Sequence, residues 1–258
     1  MRNRDKLISL AIKYQGDYNL IKKAIVNKEE VSELSTNNCI TIFDHEYPIE
    51  LFELESPPFV LFYKGDISLL KERKIGIVGS RLASDYALNA TVKFVEKVKN
   101  DNVIVSGLAK GIDACAHKCA LKTIGVLGCG IDYVYPKENI DIYKSIIKHG
   151  LLLSEYPDMT IPKGYHFPFR NRIIAALSKE IIVMEAQNKS GTLTTINAAL
   201  TLGKDIKVLP FSVFDEDGKF NNYLIQEGAG ILKYEDLNWQ KRIECVIYCF
   251  RKCEKWKI

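Results

Sequence analysis

The sequence predicts an α/β protein: a doubly wound, mostly parallel, extended Rossmann-like sheet, with a short helical segment before it and a basic helix after it. Three observations predict this. Six short runs, at 75–78, 103–105, 123–127, 151–154, 181–185 and 206–209, are rich in Val, Ile and Leu. Runs of that kind are strands buried on both faces, as in parallel sheets. Helical stretches at 84–100, 112–122, 138–149, 170–177 and 192–202 alternate with them, which is the pattern of repeated βα units. The junctions are rich in glycine and hydroxyl residues, which suit tight turns into helices. Right-handed crossovers then bring every strand-to-helix loop to one sheet edge, where open α/β sheets bind ligands.

In chain order, residues 1–36 hold helical stretches too small to stand alone, so they must pack on something else. Residues 41–70 are punctuated by Pro48, Pro57 and Pro58 and read as an irregular adapter with one strand at 59–63. The regular unit follows and, with the adapter, spans 37–233. After Pro210 the chain becomes irregular again, with a helix at 223–227 and a strand near 230–232. Residues 234–258 form a tail that reads as a basic amphipathic helix.

Composition bounds the function. Among 258 residues, 36 are basic and 32 acidic, a net charge of +4 that by itself demands no polyanionic partner. No apolar run has the length of a membrane span, and the charged N-terminus lacks a secretory signal pattern. Seven cysteines, an odd number with no CxxC pair, suit a reduced cytoplasmic compartment. Cys115/Cys119 and Cys245/Cys249/Cys253 fall at helical spacing and read as packed thiols rather than metal ligands. Neither a metal nor a cofactor is expected.

The edge loops carry the chemistry. The stretch VIVSGLAKGIDACAH, 103–117, is a strand, a glycine-bracketed loop and a helix start, so its free amides and Lys110 predict an anion site. Asp113 belongs to the first helical turn, where the dipole favours it, and His117 reads as a packed histidine. The first loop, Gly79-Ser80-Arg81, offers close backbone approach, a hydroxyl and a forked cation. Cys129, in Gly128-Cys129-Gly130, has no histidine beside it and is not a nucleophile. The long connection 155–169 supplies Tyr156, Tyr165, His166 and Phe167, then Arg170, Asn171 and Arg172. Two arginines at i, i+2 cannot share a helix face, so one can meet ligand while the other holds the loop. Ser190-Gly191-Thr192, beside Lys189, opens a helix as a second anion site. Cations from several loops, interleaved with aromatics, suit a linear polyphosphate whose bases stack.

Those motifs resemble the DNA-processing proteins called DprA or Smf. Gly79-Ser80-Arg81, SGLAKGIDACAH, LGCGIDYVYP, LLLSEYP, FPFRNRIIAALS, EAQNKSGTLTT and NYLIQEGA stand in the family's order, with the YP…PP…LFYKGD adapter ahead of them. The resemblance implies an extended Rossmann domain that binds single-stranded DNA, forms homodimers, protects DNA and loads RecA in natural transformation and recombination. By motif it implies DNA contacts from Arg81, Lys110, Phe167, Arg170, Asn171 and Arg172, with Gly79, Ser80, Ser106, Gly107, Lys189, Ser190, Gly191 and Thr192 contributing around them. No catalytic residue is implied. Many members have a larger N-terminal helical domain and a C-terminal winged helix, and after Pro210 they usually have Gly where this chain has Phe211. The alternatives are a nucleotide-binding protein or a nucleotide phosphoribohydrolase. The latter resembles this chain at the Gly-Thr helix start, but its glutamate three residues after the threonine is here Thr195.

Overall fold

The computed structural model describes residues 3–32, 38–188 and 190–237. Two helices open the chain, α1 (Asn3–Lys13) and α2 (Tyr18–Val26), the second capped by the Asp17 carboxylate accepting from the Leu20 amide. Strands β1 (Cys39–Thr41) and β2 (Val60–Gly65) flank the adapter. Then follow β3 (Lys74–Val78), α3 (Asp85–Val98), β4 (Val103–Ser106), α4 (Ile112–Cys119), β5 (Thr123–Leu127), α5 (Ile140–His149) and β6 (Leu151–Ser154). The order continues with α6 (His166–Leu177), β7 (Glu180–Val183), α7 (Gly191–Thr201), β8 (Asp205–Val208), α8 (Lys219–Gln226) and β9 (Gly230–Ile231).

All these strands join one sheet in the order β1-β2-β6-β5-β4-β3-β7-β8-β9. From β6 to β9 the neighbours are parallel, while β2 runs antiparallel to both β1 and β6. The six predicted apolar runs are β3 to β8. The chain steps outward from β3 to β6, then crosses back through α6 to place β7 on the other side of β3. That junction of β3 and β7 is the topological switch point, where the loops diverge and leave a crevice.

Alternation along each strand sorts the core into two faces. Ile75 and Ile77 of β3 pack with Phe94 and Val95 of α3 and Ala116 of α4. Val103, Val105, Ile181 and Val183 face Ile173, Ala176 and Ile196 of α6 and α7. The N-terminal helices find their packing partner near the antiparallel end. Leu7, Ile8, Leu10 and Ala11 join Phe62, Tyr143 and Leu152, and Arg4 pairs with Asp44 at 2.8 Å. Among the described residues no helix is long and apolar enough to cross a membrane.

Several boundaries differ from the sequence expectation, among them the end of α4 at Cys119 rather than 122 and the start of α5 at Ile140 rather than 138. Helix α6 starts at His166, ahead of 170, because Pro168 falls in its first turn, where a missing amide hydrogen costs nothing. Helix α8 starts at Lys219, ahead of 223. Helix α3 stops at Val98. The adapter also contributes β1, unforeseen because three residues carry no periodic signal; it forms by pairing with the open edge of β2. At the C-terminus, Tyr234–Leu237 is a single 3-10 turn. The expected basic helix over 238–258, with its three cysteines, lies outside the described residues.

His117 is the packed histidine expected. Its Nδ1 lies 2.6 Å from Thr123 Oγ1, and that hydroxyl donates to the Ile104 carbonyl at 2.8 Å. Nδ1 is therefore the protonated nitrogen, and the ring is neutral: burial, and secondarily the charge of Arg170, lower its pKa from 6.5 to about 3. Between those values the unfolded chain holds a proton that the folded chain does not, so stability falls as pH falls through that window. Urea titrations at pH 7, 5.5 and 4 should lose up to about 1.4 kcal/mol per pH unit from this group. His117→Gln should remove that part of the slope; an unchanged slope would place the acid sensitivity elsewhere.

Candidate nucleic-acid interface

At the switch point the loops after β3 and β7 enclose an open cleft of about 580 Å³ together with α6. Its walls include Gly79–Leu82, Tyr135, Phe167, Gln187 and Ser190–Thr192, and its floor includes Asp113 and Arg170. The volume falls in the range of small-molecule and cofactor pockets, but the cleft opens broadly to the surface and its rim is aromatic and cationic.

Arg81 is exposed at the rim, its guanidinium carbon 5.8 Å from the centre of the Phe167 ring. Phe167 is half-buried and lies 5.4 Å from the Tyr135 ring at a 37° tilt. The three side chains form a short stair of cation and two rings. Ser80 Oγ accepts from the Leu82 amide at 3.1 Å, which holds the loop that presents Arg81. Gly79 is required by close approach, because a Cβ there would press into Ile112. Lys110 is exposed on the next loop, paired with Glu138 at 2.5 Å. That lysine also holds the Glu138 carboxyl below its ordinary pKa. The pair is on the surface, so its mutual attraction is weak and screened by salt.

Several residues expected to meet ligand are turned inward. Arg170 is buried: its guanidinium donates to the Gly107 carbonyl at 2.7 Å and to the Val126 carbonyl. Gly107 is glycine because a Cβ would collide with that guanidinium. Asp113 sits buried opposite, accepting from the Ala109 amide at 3.2 Å. Burial raises the Asp113 pKa, and Arg170 opposes that shift. Asn171 donates to the Gly191 carbonyl at 2.9 Å and to Thr194 Oγ1 at 2.6 Å, joining α6 to α7. Arg172 makes two bonds to the Glu155 carboxylate, 2.6 and 2.7 Å, and stacks 3.7 Å from the Phe169 ring. Both arginines therefore hold the loops, where the i, i+2 spacing leaves one for ligand. Ser106 is buried, donating to the Ile77 carbonyl at 2.6 Å.

The two helix starts also differ from each other. The α4 start predicted as an anion site is closed: the Ile112 amide donates to the Ser80 carbonyl at 3.2 Å. Gly111, at φ +70°, makes the turn that brings that carbonyl in. The α7 start is open. Among the described residues no side chain caps it, and the Cβ position of Gly191 has only free space around it. Ser190 Oγ is buried there without a partner, and Thr192 Oγ1 donates to the Gly79 carbonyl at 3.2 Å. Open amides and a positive dipole end thus face the cleft beside Arg81. Lys189 lies outside the described residues.

The carboxylates Glu185 and Glu155 are both engaged by the protein's own groups. Glu185 is buried and accepts from the Ser84 amide and hydroxyl at 2.9 and 2.6 Å, which anchors the start of α3. Glu155 is committed to Arg172. Burial pushes the Cys129 thiol up to about 11, away from thiolate chemistry at neutral pH. Thr195 supplies a buried hydroxyl where a phosphoribohydrolase would have its carboxylate. Among the described residues no three His, Cys, Asp or Glu side chains converge as metal ligands.

Sequence reasoning assigned no role to Tyr135 or Gln187, which line the cleft; both stand in loops at the strand-to-helix edge, the position that could have found them.

Comparison with known proteins bears on the family and the fold. Residues 38–241 match the family model of DNA recombination-mediator protein A. DNA processing protein DprA of Streptococcus pneumoniae is 44% identical over 196 residues, covering 74% of this chain and 70% of that protein. Protein Smf of Escherichia coli is 37% identical over 189 residues, covering 71% of this chain and half of that protein. The S. pneumoniae DprA crystal structure superposes with a TM-score of 0.76 at 35% identity, covering 91% of this chain and 92% of that one. DNA processing protein A of Helicobacter pylori, studied for its single-stranded DNA binding mode, gives 0.71 at 33% identity, covering 81% and 96%. Matched along most of its length in sequence and in fold, this chain belongs to the DNA recombination-mediator protein A family, that of DprA and Smf.

Proposed function

We propose that this protein binds single-stranded DNA across the switch-point cleft, without catalysis, and acts as a recombination mediator. Residues 37–233 are the DNA-binding unit in this reading. The observation that carries it is the stair of Arg81, Phe167 and Tyr135 beside the open start of α7. A guanidinium and free amides take phosphates, while two rings at the same rim take bases. Gly191 leaves open space for the strand, Gly79 and Gly107 let Ile112 and Arg170 pack against their loops, and Ser80 holds the Arg81 loop; Ser190, Thr192 and Lys110 add polar contacts. Arg170, Asn171, Arg172 and Ser106 build the floor and walls. The single-stranded DNA binding mode of the H. pylori relative supports the assignment. Protection of DNA, transfer to RecA, a role in natural transformation, homodimer formation and a cytoplasmic site of action rest on family resemblance.

The test is a salt series of binding to single-stranded DNA, duplex DNA and AMP, measured side by side. Single-strand affinity should fall on a log–log plot with slope about 0.7 per phosphate neutralised. Tight binding of AMP with little salt dependence would instead favour a nucleotide pocket. In the same series Phe167→Ala should cost about 1–3 kcal/mol for single strands if the ring stacks on a base. An equal loss for duplex DNA would make Phe167 a loop-shaping residue.

A further inference from the structure

The loop that leads into α5 brings more to the binding edge than the ring of Tyr135. Glu138, three residues on, reaches across to Lys110 of the neighbouring loop, carboxylate to ammonium at 2.5 Å, and both side chains are more than half exposed. Lys110 lines a recess of about 70 Å³ together with Arg81, Tyr135 and Phe167, so the ion pair stands at the same rim as the cation and the two rings.

The backbone holds the carboxylate in that place. After Pro136 comes a single 3-10 turn, Lys137–Asn139, which runs directly into α5. Asn139 is buried, and its side-chain amide donates to the Leu108 and Ala109 carbonyls at 2.9 and 3.1 Å. Asn139 adjoins Glu138, and Ala109 adjoins Lys110. The two loops are therefore fastened together one residue away from the ion pair on each side. A carboxylate on a free loop could swing away from an arriving anion; this one is anchored beside the lysine.

We propose that Glu138 is a built-in competitor for the DNA backbone, one that limits how tightly Lys110 grips the strand. The inference rests on the assignment of the cleft as the strand's path. A phosphate that comes to Lys110 meets an ammonium already engaged and has to displace the carboxylate. The pair is exposed, so the competition is modest and screened by salt. Its consequence is kinetic: the contact at Lys110 opens readily, while Arg81 and the start of α7 keep their hold. A protein that binds a strand and then gives it up is served by a contact that releases without any loss of fold.

Anisotropy titrations and stopped-flow dissociation of a labelled oligothymidine from the full chain test this. Glu138→Gln keeps the size of the side chain and removes its charge. Near 0.1 M salt it should raise single-strand affinity about two- to fivefold, the scale of one surface ion pair, chiefly through slower dissociation. The gain should shrink as salt rises, and most of it should disappear in a Lys110→Gln background, where the carboxylate has no ammonium to occupy. Equal affinity of the wild-type and Glu138→Gln chains for the strand would overturn the proposal and leave the cleft assignment standing. So would an equal gain with and without Lys110, because the carboxylate would then act on the strand by general repulsion. A wild-type chain that binds no single strand would overturn the cleft assignment itself, and this proposal with it.

Discussion

Arg81→Glu is expected to weaken single-stranded DNA binding by about ten- to hundredfold near 0.1 M salt, with the melting temperature unchanged. Arg81 is exposed, lies 5.8 Å from the centre of the Phe167 ring and lines the same cleft as the open helix start of α7. In the proposed interface, charge reversal there removes a forked cation from the strand's path and adds repulsion. The log–log salt slope should fall by about 0.7 for each phosphate that the variant no longer neutralises. Fluorescence anisotropy at four salt concentrations measures both quantities. Wild-type affinity and slope in a folded Arg81→Glu protein would take this residue out of the interface.

The opposite behaviour is expected of Arg170, three residues after Phe167 on the same helix. Arg170→Ala should destabilise the fold by about 3–5 kcal/mol, the scale for removing one partner from a buried charged network. For a chain of this size that lowers the melting temperature on the order of 10 °C. The guanidinium ties the loop after β4 to the end of β5 through the Gly107 and Val126 carbonyls. Its removal strands both acceptors and takes away the charge that opposes the raised pKa of Asp113. Arg170→Met with Asp113→Leu should recover part of the loss, because an apolar pair of similar volume asks for no partner. Calorimetry separates this role from direct binding of the strand. An Arg170→Ala protein with wild-type melting and abolished DNA binding would make Arg170 a DNA ligand after all.

These two arginines mark how far the chain can be read without its fold. The parallel sheet is legible because β3 to β8 are apolar runs whose burial on both faces leaves no polar alternation. The binding edge follows, since right-handed crossovers put all βα loops on one side. Gly79 and Gly191 are placed in those loops by the same logic. The antiparallel strand β1 is not legible, since three residues have no period and the strand exists only by pairing with β2. The start of α6 is displaced by Pro168, a residue that signals a break in sequence but is accommodated in a first turn.

Local pattern, then, carries the sheet, its edge and the family motifs, because strand burial and turn chemistry act over a few neighbouring residues. Which cations reach solvent is settled by partners far apart in the chain. Arg170 is captured by carbonyls 63 and 44 residues away, and Arg172 by a carboxylate 17 residues away. The start of α4 is closed by a carbonyl from the loop after β3, while that of α7 stays open. An arginine's five donors are satisfied by whatever acceptors the fold brings near, and no local rule of spacing contains that choice.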